Sequence, residues 1–449
     1  MEFLDLTQDK VYDETEPLYN RILNGEVEEG ELITVKGAIH SLRNKGGDAF
    51  IVIRTARHTL QFYWEQGKAN FEAADLKEGD SVVMSGRIRK SEYSRIGYDI
   101  DCVDVKVLSS PYDVPPFSIG KREIKASFDT ILDYRPISMR HPKERAYIKL
   151  VEGVMRGMTE WLYKNNFTQI IPPKIVAAGA EGGADMFELD YFGKRAYLAQ
   201  SPQFYKQMMV GVYERVFTVS PVFRAEKHRT SRHINEFMGI DLEMGYIDSF
   251  YDVCEAEARA LRYTFDLINR EYKNELDIIG AGPLPTFDKV PYVRFDDAKR
   301  MVKEKYGREF RSEYDLEPEE EKLIGKLFKE EYGSELVFVT HYPSKKRPFY
   351  AMDDPEDPRY TLSFDLLLNG TEITTGGQRI HDYEMQVNKM KDRGMNPDDF
   401  ASYLMIHKYG MPPHGGLGIG VERLAMKLFN VDNIRTVTLF PRDTERLEP

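Results

Sequence analysis

Two stretches decide the reading of this chain. The first is Phe223-Arg224-Ala225-Glu226, running through a basic loop to Arg232-His233-Ile234-Asn235-Glu236-Phe237. The second is Gly415-Gly416-Leu417-Gly418-Ile419-Gly420-Val421-Glu422-Arg423. Around the first, strand-like runs at Val216–Arg224 and Phe237–Met244 predict a strand, a polar loop and a second strand. An arginine at the end of the leading strand can aim its planar fork at a phosphate. A surface hairpin with a solvated basic loop has the same local pattern. The second stretch reads as glycine-rich backbone opening a helix over Val421–Phe429, with Arg423 near its first turn. Glycines let backbone approach a flat ligand, although alone they also fit a plain strand–helix turn. Taken together, Arg224 and Arg423 are two cations for one polyphosphate, held on an antiparallel sheet without a Walker-type loop.

A third cluster surrounds Asn369-Gly370, a hairpin signal. Asp365 lies before it, and Glu372 and Thr375 lie after it. Hard oxygen ligands of this kind suit Mg²⁺ held jointly with ATP phosphates; exposed acids on a hairpin are the plain alternative. Gln200-Ser201-Pro202-Gln203 through Lys206-Gln207 opens a helix with a polar face. The nine histidines show no zinc-ligand spacing and no Cys-x-x-Cys exists, which speaks against zinc. No segment supports a Ser-His-Asp triad.

The 449 residues allow two or three domains, and 41% apolar content supports real cores. No apolar run approaches the ~20 residues needed to span a membrane. Met1–Asp5 lacks a secretory pattern, and two cysteines exclude a disulfide framework, so a cytoplasmic location is expected. A net charge of −12 argues against a purely electrostatic nucleic-acid binder but leaves room for local basic surface.

Five short strands are expected at Leu32–Ile39, Ala49–Arg54, Thr59–Tyr63, Ser81–Ile88 and Tyr98–Val103, split by charged and glycine turns. They suggest an oligonucleotide-binding barrel over any other five-stranded module. Ser109 to Phe117 is proline-rich and marks a boundary. An amphipathic helix is expected over Pro142–Tyr163, then a strand at Phe167–Ile171 stopped by Pro172-Pro173. The fold class expected is α+β: a barrel over 1–110, a hinge over 111–140, and a domain on an antiparallel sheet over 141–449, with a small charged insertion at 275–345.

In this order the segments resemble a class II aminoacyl-tRNA synthetase over nearly the whole chain. Phe167–Ile175 with Pro173 is similar to the first class motif, which builds the dimer interface. Phe223–Glu226 with Arg232, His233 and Phe237 is similar to the second, and Gly418–Arg423 to the third. Gln200–Gln207, Gly376–Asp382 and Leu439–Asp443 resemble the aspartyl-tRNA synthetase family in its compact archaeal/eukaryotic-type branch. The asparaginyl family is the close neighbour and usually differs at Lys206 and Gly376–Arg379.

The resemblance implies a homodimer with no membrane association, ATP as substrate with two or three Mg²⁺ ions, L-aspartate, and tRNA(Asp). Arg224 would hold the α-phosphate and Arg423 the γ-phosphate, with Arg232 and His233 assisting and Gly420 beside them. Phe237 and Arg423 would sandwich the adenine. Glu226 would contact ATP or the terminal adenosine of tRNA. Glu372 would be the main Mg²⁺ ligand, supported by Asp365 and Thr375, where serine is more common. Lys206 and Arg379 would grip the side-chain carboxylate, with Thr375 nearby, and Glu181, Gln203 and Asp241 the amino-acid end. In the barrel, Phe50 would stack an anticodon base, Gln61 would read the central uridine, and Arg43 would hold backbone or base.

The aspartate and asparagine anticodons share that uridine, so choice between them falls to neighbours. In archaeal-type relatives a Trp near His40 accompanies strict charging and a His relaxed charging, while a basic residue such as Arg95 leans to the strict form. An ordinary polar strand residue is the other reading of His40. The expectation is some charging of tRNA(Asn) as well. Two rivals stand beside this reading. One is the asparaginyl enzyme, or a tRNA-independent asparagine-forming relative, against which the barrel speaks. The other is a non-catalytic binding module, against which Arg224, Arg423 and Glu372 speak.

Overall fold

The computed structural model describes residues 15–92, 94, 96–177 and 185–449; Glu181 and Arg95 lie outside these. The chain forms two compact units, Met1–His141 and Pro142–Pro449.

In the first unit, β1 (Leu32–Asn44), β2 (Asp48–Arg54), β3 (Thr59–Glu65), β4 (Ser81–Lys90) and β5 (Tyr98–Ser109) close into a barrel in the order β1-β2-β3-β5-β4. Period-two alternation drives this: Ala49, Ile51 and Ile53 on β2 and Leu60, Phe62 and Trp64 on β3 all point inward. The strands outrun their expected ends because β1 serves two neighbours. Leu32–Ala38 pairs with β4 and Ala38–Asn44 with β2, the second pairing interrupted by a bulge between Ile39 and Ser41. The 111–140 segment, expected as a hinge, falls within this first unit and carries two short helices, Phe128–Asp133 and Arg135–Ser138.

The second unit is built on eight strands: β6 (Thr168–Gln169), β10 (Arg215–Phe223), β11 (Glu236–Gly245), β12 (Tyr292–Arg294), β13 (Leu336–Thr340), β14 (Ser363–Leu368), β15 (Glu372–Arg379) and β16 (His414–Gly420). Their order is β12-β13-β14-β15-β16-β11-β10-β6. Only the two outermost pairings are parallel. The remaining strands, β7 (Ile175–Val176), β8 (Glu188–Tyr191) and β9 (Lys194–Leu198), make a small antiparallel sheet. β6 is shorter than expected, since Pro172 and Pro173 have no N–H to extend the ladder.

One face of the large sheet carries Ile240, Leu242, Phe364, Leu366, Leu417 and Ile419, packed on the helices Pro142–Lys164, Tyr251–Glu271 and Val421–Leu428. On the opposite face, Val337, Val339 and Leu367 are covered by the helices Phe295–Tyr306 and Pro318–Tyr332. The charged 275–345 segment therefore builds the sheet edge through β12 and β13 and covers one end of this face. Helix Gln203–Tyr213 packs across β10 and β11.

Candidate active site

Strand register places the site. Asp365, Thr375, Gly418 and Asp241 stand opposite one another across β14, β15, β16 and β11. Ser363, Gly377, Gly416 and Glu243 form a parallel row two residues away. Residues opposite one another share a face, so Asp365, Thr375, Asp241 and Glu243 all point away from the main core. The Gly415–Gly420 stretch, expected as a turn opening a helix, is a strand: Leu417 and Ile419 face the core, and Gly416, Gly418 and Gly420 face the site. The helix follows at Val421. Gly416 is required by close approach, because a Cβ there would lie 2.1 Å from Glu243 Oε2 and 2.2 Å from the Leu242 carbonyl oxygen.

Four charged side chains meet at this floor. Lys206 Nζ donates to Asp241 Oδ1 at 2.9 Å and to the Leu417 carbonyl at 2.8 Å, and lies 3.5 Å from Glu243 Oε2. Arg379 Nε donates to Glu243 Oε1 at 2.8 Å, and its Nη2 to the Gly416 carbonyl at 2.9 Å. Lys206 is 1% exposed and Glu243 0%. Burial of isolated charges is costly; here two cations and two carboxylates offset one another. Behind them Tyr403 donates to Gln207 Oε1 at 2.8 Å, and burial holds the His414 ring well below its ordinary pKa. The buried Gln203 Nε2 has no hydrogen-bond partner among the described residues.

The same cavity, about 350 Å³, is lined further along by Arg224, Glu226, Arg232, His233, Phe237, Glu372, Gly420 and Arg423. Here the ion pairs are long: Arg224 to Glu226 at 3.9 Å and Arg423 to Glu372 at 3.8 Å. Asn235 fixes the motif by donating from Nδ2 to the carbonyls of Arg224 and Glu226, at 2.7 and 2.9 Å. Arg224 lies 5.5 Å from the Phe237 ring centroid. A Cβ on Gly420 would lie 3.8 Å from Arg423 Cβ and 4.0 Å from Phe237 Cε2, so these three residues adjoin on the cavity wall. Burial, with help from Arg423, holds the His233 ring below its ordinary pKa.

Thr375 Oγ1 donates to Glu372 Oε1 at 3.1 Å. Burial and the neighbouring Asp365 carboxylate push the Glu372 carboxyl up, which is the situation a divalent cation relieves. Asp365 itself pairs with Arg347 at 2.7 Å, and Arg347 stacks 3.9 Å from the Tyr342 ring centroid.

Every expected residue of this site within the described chain lines the cavity except Asp365, which adjoins it through Arg347. Sequence reasoning missed Glu243, Arg347, Glu321 and Glu422. Strand alternation from Asp241 points to Glu243. Glu422, whose carboxyl burial pushes up to about 7, accepts from Met238 N at 3.0 Å and ties the Arg423 helix to β11. Arg347 and Glu321 sit in charge runs that carry no local signal.

On the barrel, Arg43 pairs in register with Phe50, and Phe50 with Tyr63. Gln61 shares their face and donates to Asp99 Oδ1 at 3.0 Å. The Phe50 and Tyr63 rings are 5.5 Å apart, with Arg89 5.4 Å from the Tyr63 ring centroid: an aromatic and cationic surface suited to stacking bases. Tyr63 and Arg89 were not anticipated. His40, at the β1 bulge, is 6% exposed, and a Cβ on Gly120 would lie 3.0 Å from its carbonyl oxygen.

The family described as class II tRNA synthetases (D, K and N) matches residues 127–444, and an OB-fold nucleic acid binding domain matches 33–108. The chain belongs to the class II tRNA synthetases. It is an aminoacyl-tRNA ligase. A Deinococcus radiodurans protein named aspartate–tRNA(Asp/Asn) ligase is 41% identical, covering 94% of this chain and 96% of its own. A Pyrococcus furiosus aspartate–tRNA(Asp) ligase is 37% identical over 94% and 97%. Among solved structures, the Pyrococcus horikoshii asparaginyl-tRNA synthetase with asparaginyl-adenylate superposes with a TM-score of 0.85 at 31% identity, over 94% of this chain and 97% of that one.

The buried quartet makes a first prediction. Glu243→Gln removes one compensating charge beside Lys206 and Arg379, so urea unfolding should show a loss of roughly 3–5 kcal/mol.

Proposed function

We propose that the enzyme attaches L-aspartate to tRNA(Asp) through an aspartyl-adenylate, with tRNA(Asn) as a weaker second acceptor. The observation that carries the substrate is the pair of buried cations, Lys206 and Arg379, preset by Asp241 and Glu243 in the cavity that also holds Arg224 and Arg423. A side-chain carboxylate is a further acceptor for the N–H donors of Lys206 and Arg379, which already share Asp241 and Glu243, whereas an amide also turns N–H donors toward them. Gln203 offers its unpartnered Nε2 to the amino-acid end, beside Asp241.

The chemistry asks for positioning rather than a base. The aspartate α-carboxylate is already a nucleophile and attacks the α-phosphorus in line, expelling pyrophosphate. Arg224 neutralises the charge that develops on the α-phosphate, and Arg423 holds the γ-phosphate, with Arg232 and His233 beside them. Phe237 and Arg423 flank the adenine beside Gly420. Asp365, Glu372 and Thr375 are hard oxygen donors that would hold Mg²⁺, and the ion would supply further neutralisation of charge at the nucleotide end. Glu226 sits between Arg224 and His233, placed for ATP or for the terminal adenosine.

On the barrel, Arg43, Phe50, Gln61 and the added Tyr63 and Arg89 read the anticodon. His40, buried at the β1 bulge, shapes this surface from beneath and bears on the choice between the two anticodons. A homodimer through 167–175 fits the 91% exposure of Ile171. No helix among the described residues is long and apolar enough to cross a membrane. Charging of tRNA is the reason to place the enzyme in the cytoplasm.

Three measurements follow. Aspartate should support ATP–pyrophosphate exchange and asparagine should fail by a factor of ~10⁴, the penalty for leaving buried polar groups mismatched; equal exchange would make the enzyme asparaginyl or unspecific. Arg224→Ala and Arg423→Ala should each slow adenylate formation by roughly 3–4 kcal/mol at the barrier while tRNA binding persists in filter assays. Purified tRNA(Asp) and tRNA(Asn) transcripts should both be charged, the second more slowly; an inert tRNA(Asn) limits the enzyme to one acceptor.

A further inference from the structure

We infer that Glu321, on the helix Pro318–Tyr332, is a positioning residue for divalent-cation binding, and that this helix clamps the hairpin carrying the metal ligands. The inference rests on reading Asp365, Glu372 and Thr375 as the Mg²⁺ site. Its basis is a set of backbone contacts at the other side of that hairpin.

Glu321 Oε2 accepts a hydrogen bond from the Glu372 backbone N–H at 3.1 Å. The register explains why this N–H is available. Leu366 pairs with Thr374 but Leu367 pairs with Glu372, so β15 bulges immediately after Glu372. Such a bulge interrupts the ladder and re-aims a side chain; Glu321 takes up the donor from outside the sheet. The helix reaches it because two glycines meet. A Cβ on Gly325 would lie 2.3 Å from Gly370 N, and one on Gly370, at φ +68°, 2.6 Å from Lys322 Cα. The helix thus touches the turn backbone to backbone. Just beyond the helix, the Glu335 carbonyl accepts from Asn369 N at 2.8 Å and pins the turn again. Glu372 is then held at its amide by Glu321 and at its carboxylate by Thr375, with Arg423 3.8 Å away. Partners that orient a metal ligand in this way change affinity when lost even though they never touch the ion.

The test separates the acceptor oxygen from its charge. Glu321→Gln keeps the oxygen and removes the charge; Glu321→Asp keeps the charge and withdraws the oxygen by one methylene. Mn²⁺ binding to the full-length enzyme, with a non-hydrolysable ATP analogue present, is read by electron paramagnetic resonance, and aspartate binding by calorimetry. Glu321→Asp should weaken Mn²⁺ about tenfold or more, and Glu321→Gln by no more than about twofold, with aspartate binding unchanged in both. The reverse order, or wild-type Mn²⁺ affinity in Glu321→Asp, overturns the role of Glu321. A Glu372→Gln control keeps the two readings apart. If it leaves Mn²⁺ binding intact, the metal assignment falls and the clamp with it. If it abolishes binding while Glu321→Asp does not weaken it, the clamp alone falls.

Discussion

Asp241 and Glu243, two residues apart on β11, hold Lys206 and Arg379 where water barely reaches, and the rest of the catalytic unit is arranged around that quartet. The constraint is severe, because each of these charges is stable in the interior only while its partners stay in place. Leu242, between the two carboxylates, faces the opposite side and packs in the main core. One strand therefore writes the core and the cavity floor in alternate letters. Glycine at 416 follows from the same geometry, since the carboxylate of Glu243 occupies the volume a side chain would need. The quartet presets the two cations before any substrate arrives, so little rearrangement is left for the bound state.

The other end of the cavity is built in the opposite manner. Arg224 and Arg423 are each about 38% exposed in their side chains, and their pairs with Glu226 and Glu372 are near 4 Å. Loose, partly solvated pairs contribute little to stability and exchange readily for a better partner. A phosphate is such a partner, and a cation at Glu372 would free Arg423 for it. Short buried pairs make one end of the cavity rigid, and long, partly exposed pairs leave the other end free to exchange partners.

Much of the fold was legible in local pattern. Alternation at Ala49–Arg54 and Thr59–Tyr63 identifies barrel strands, and spacing from Ile148 to Leu162 identifies the long helix. The two arginine stretches identified the cavity because Arg224 and Arg423 each sit at the end of a recognisable element. What stayed hidden has physical reasons. Gly415–Gly420 looked like a turn because glycine masks alternation, and only Leu417 and Ile419 keep the period. Glu243 belonged to a strand already read, but its role depends on Arg379, on another strand. Arg347 and Glu321 act through Asp365 and Glu372, partners distant in sequence, and their charge runs look like solvated surface.

The 275–345 segment looks peripheral for the same reason. Its helices expose charged faces, and only the inner positions Phe295, Ala298, Val302, Ile324, Leu327 and Phe328 reveal a core. Those residues pack against Val337 and Val339 on β13 and Leu367 on β14, and Leu367 is two residues from Asp365. The strands that carry Asp365 and Glu372 therefore rest on both cores: Phe364, Leu366 and Ile373 pack in the main core, while Leu367 packs in the smaller one. Lys206, Asp241, Glu243 and Arg379 stand on β11, β15 and the Gln203–Tyr213 helix, away from the β12–β13 edge. The two ends of the cavity are joined by β15, which carries Glu372 at one end and Arg379 at the other and is hydrogen-bonded to β14 and β16 along its length.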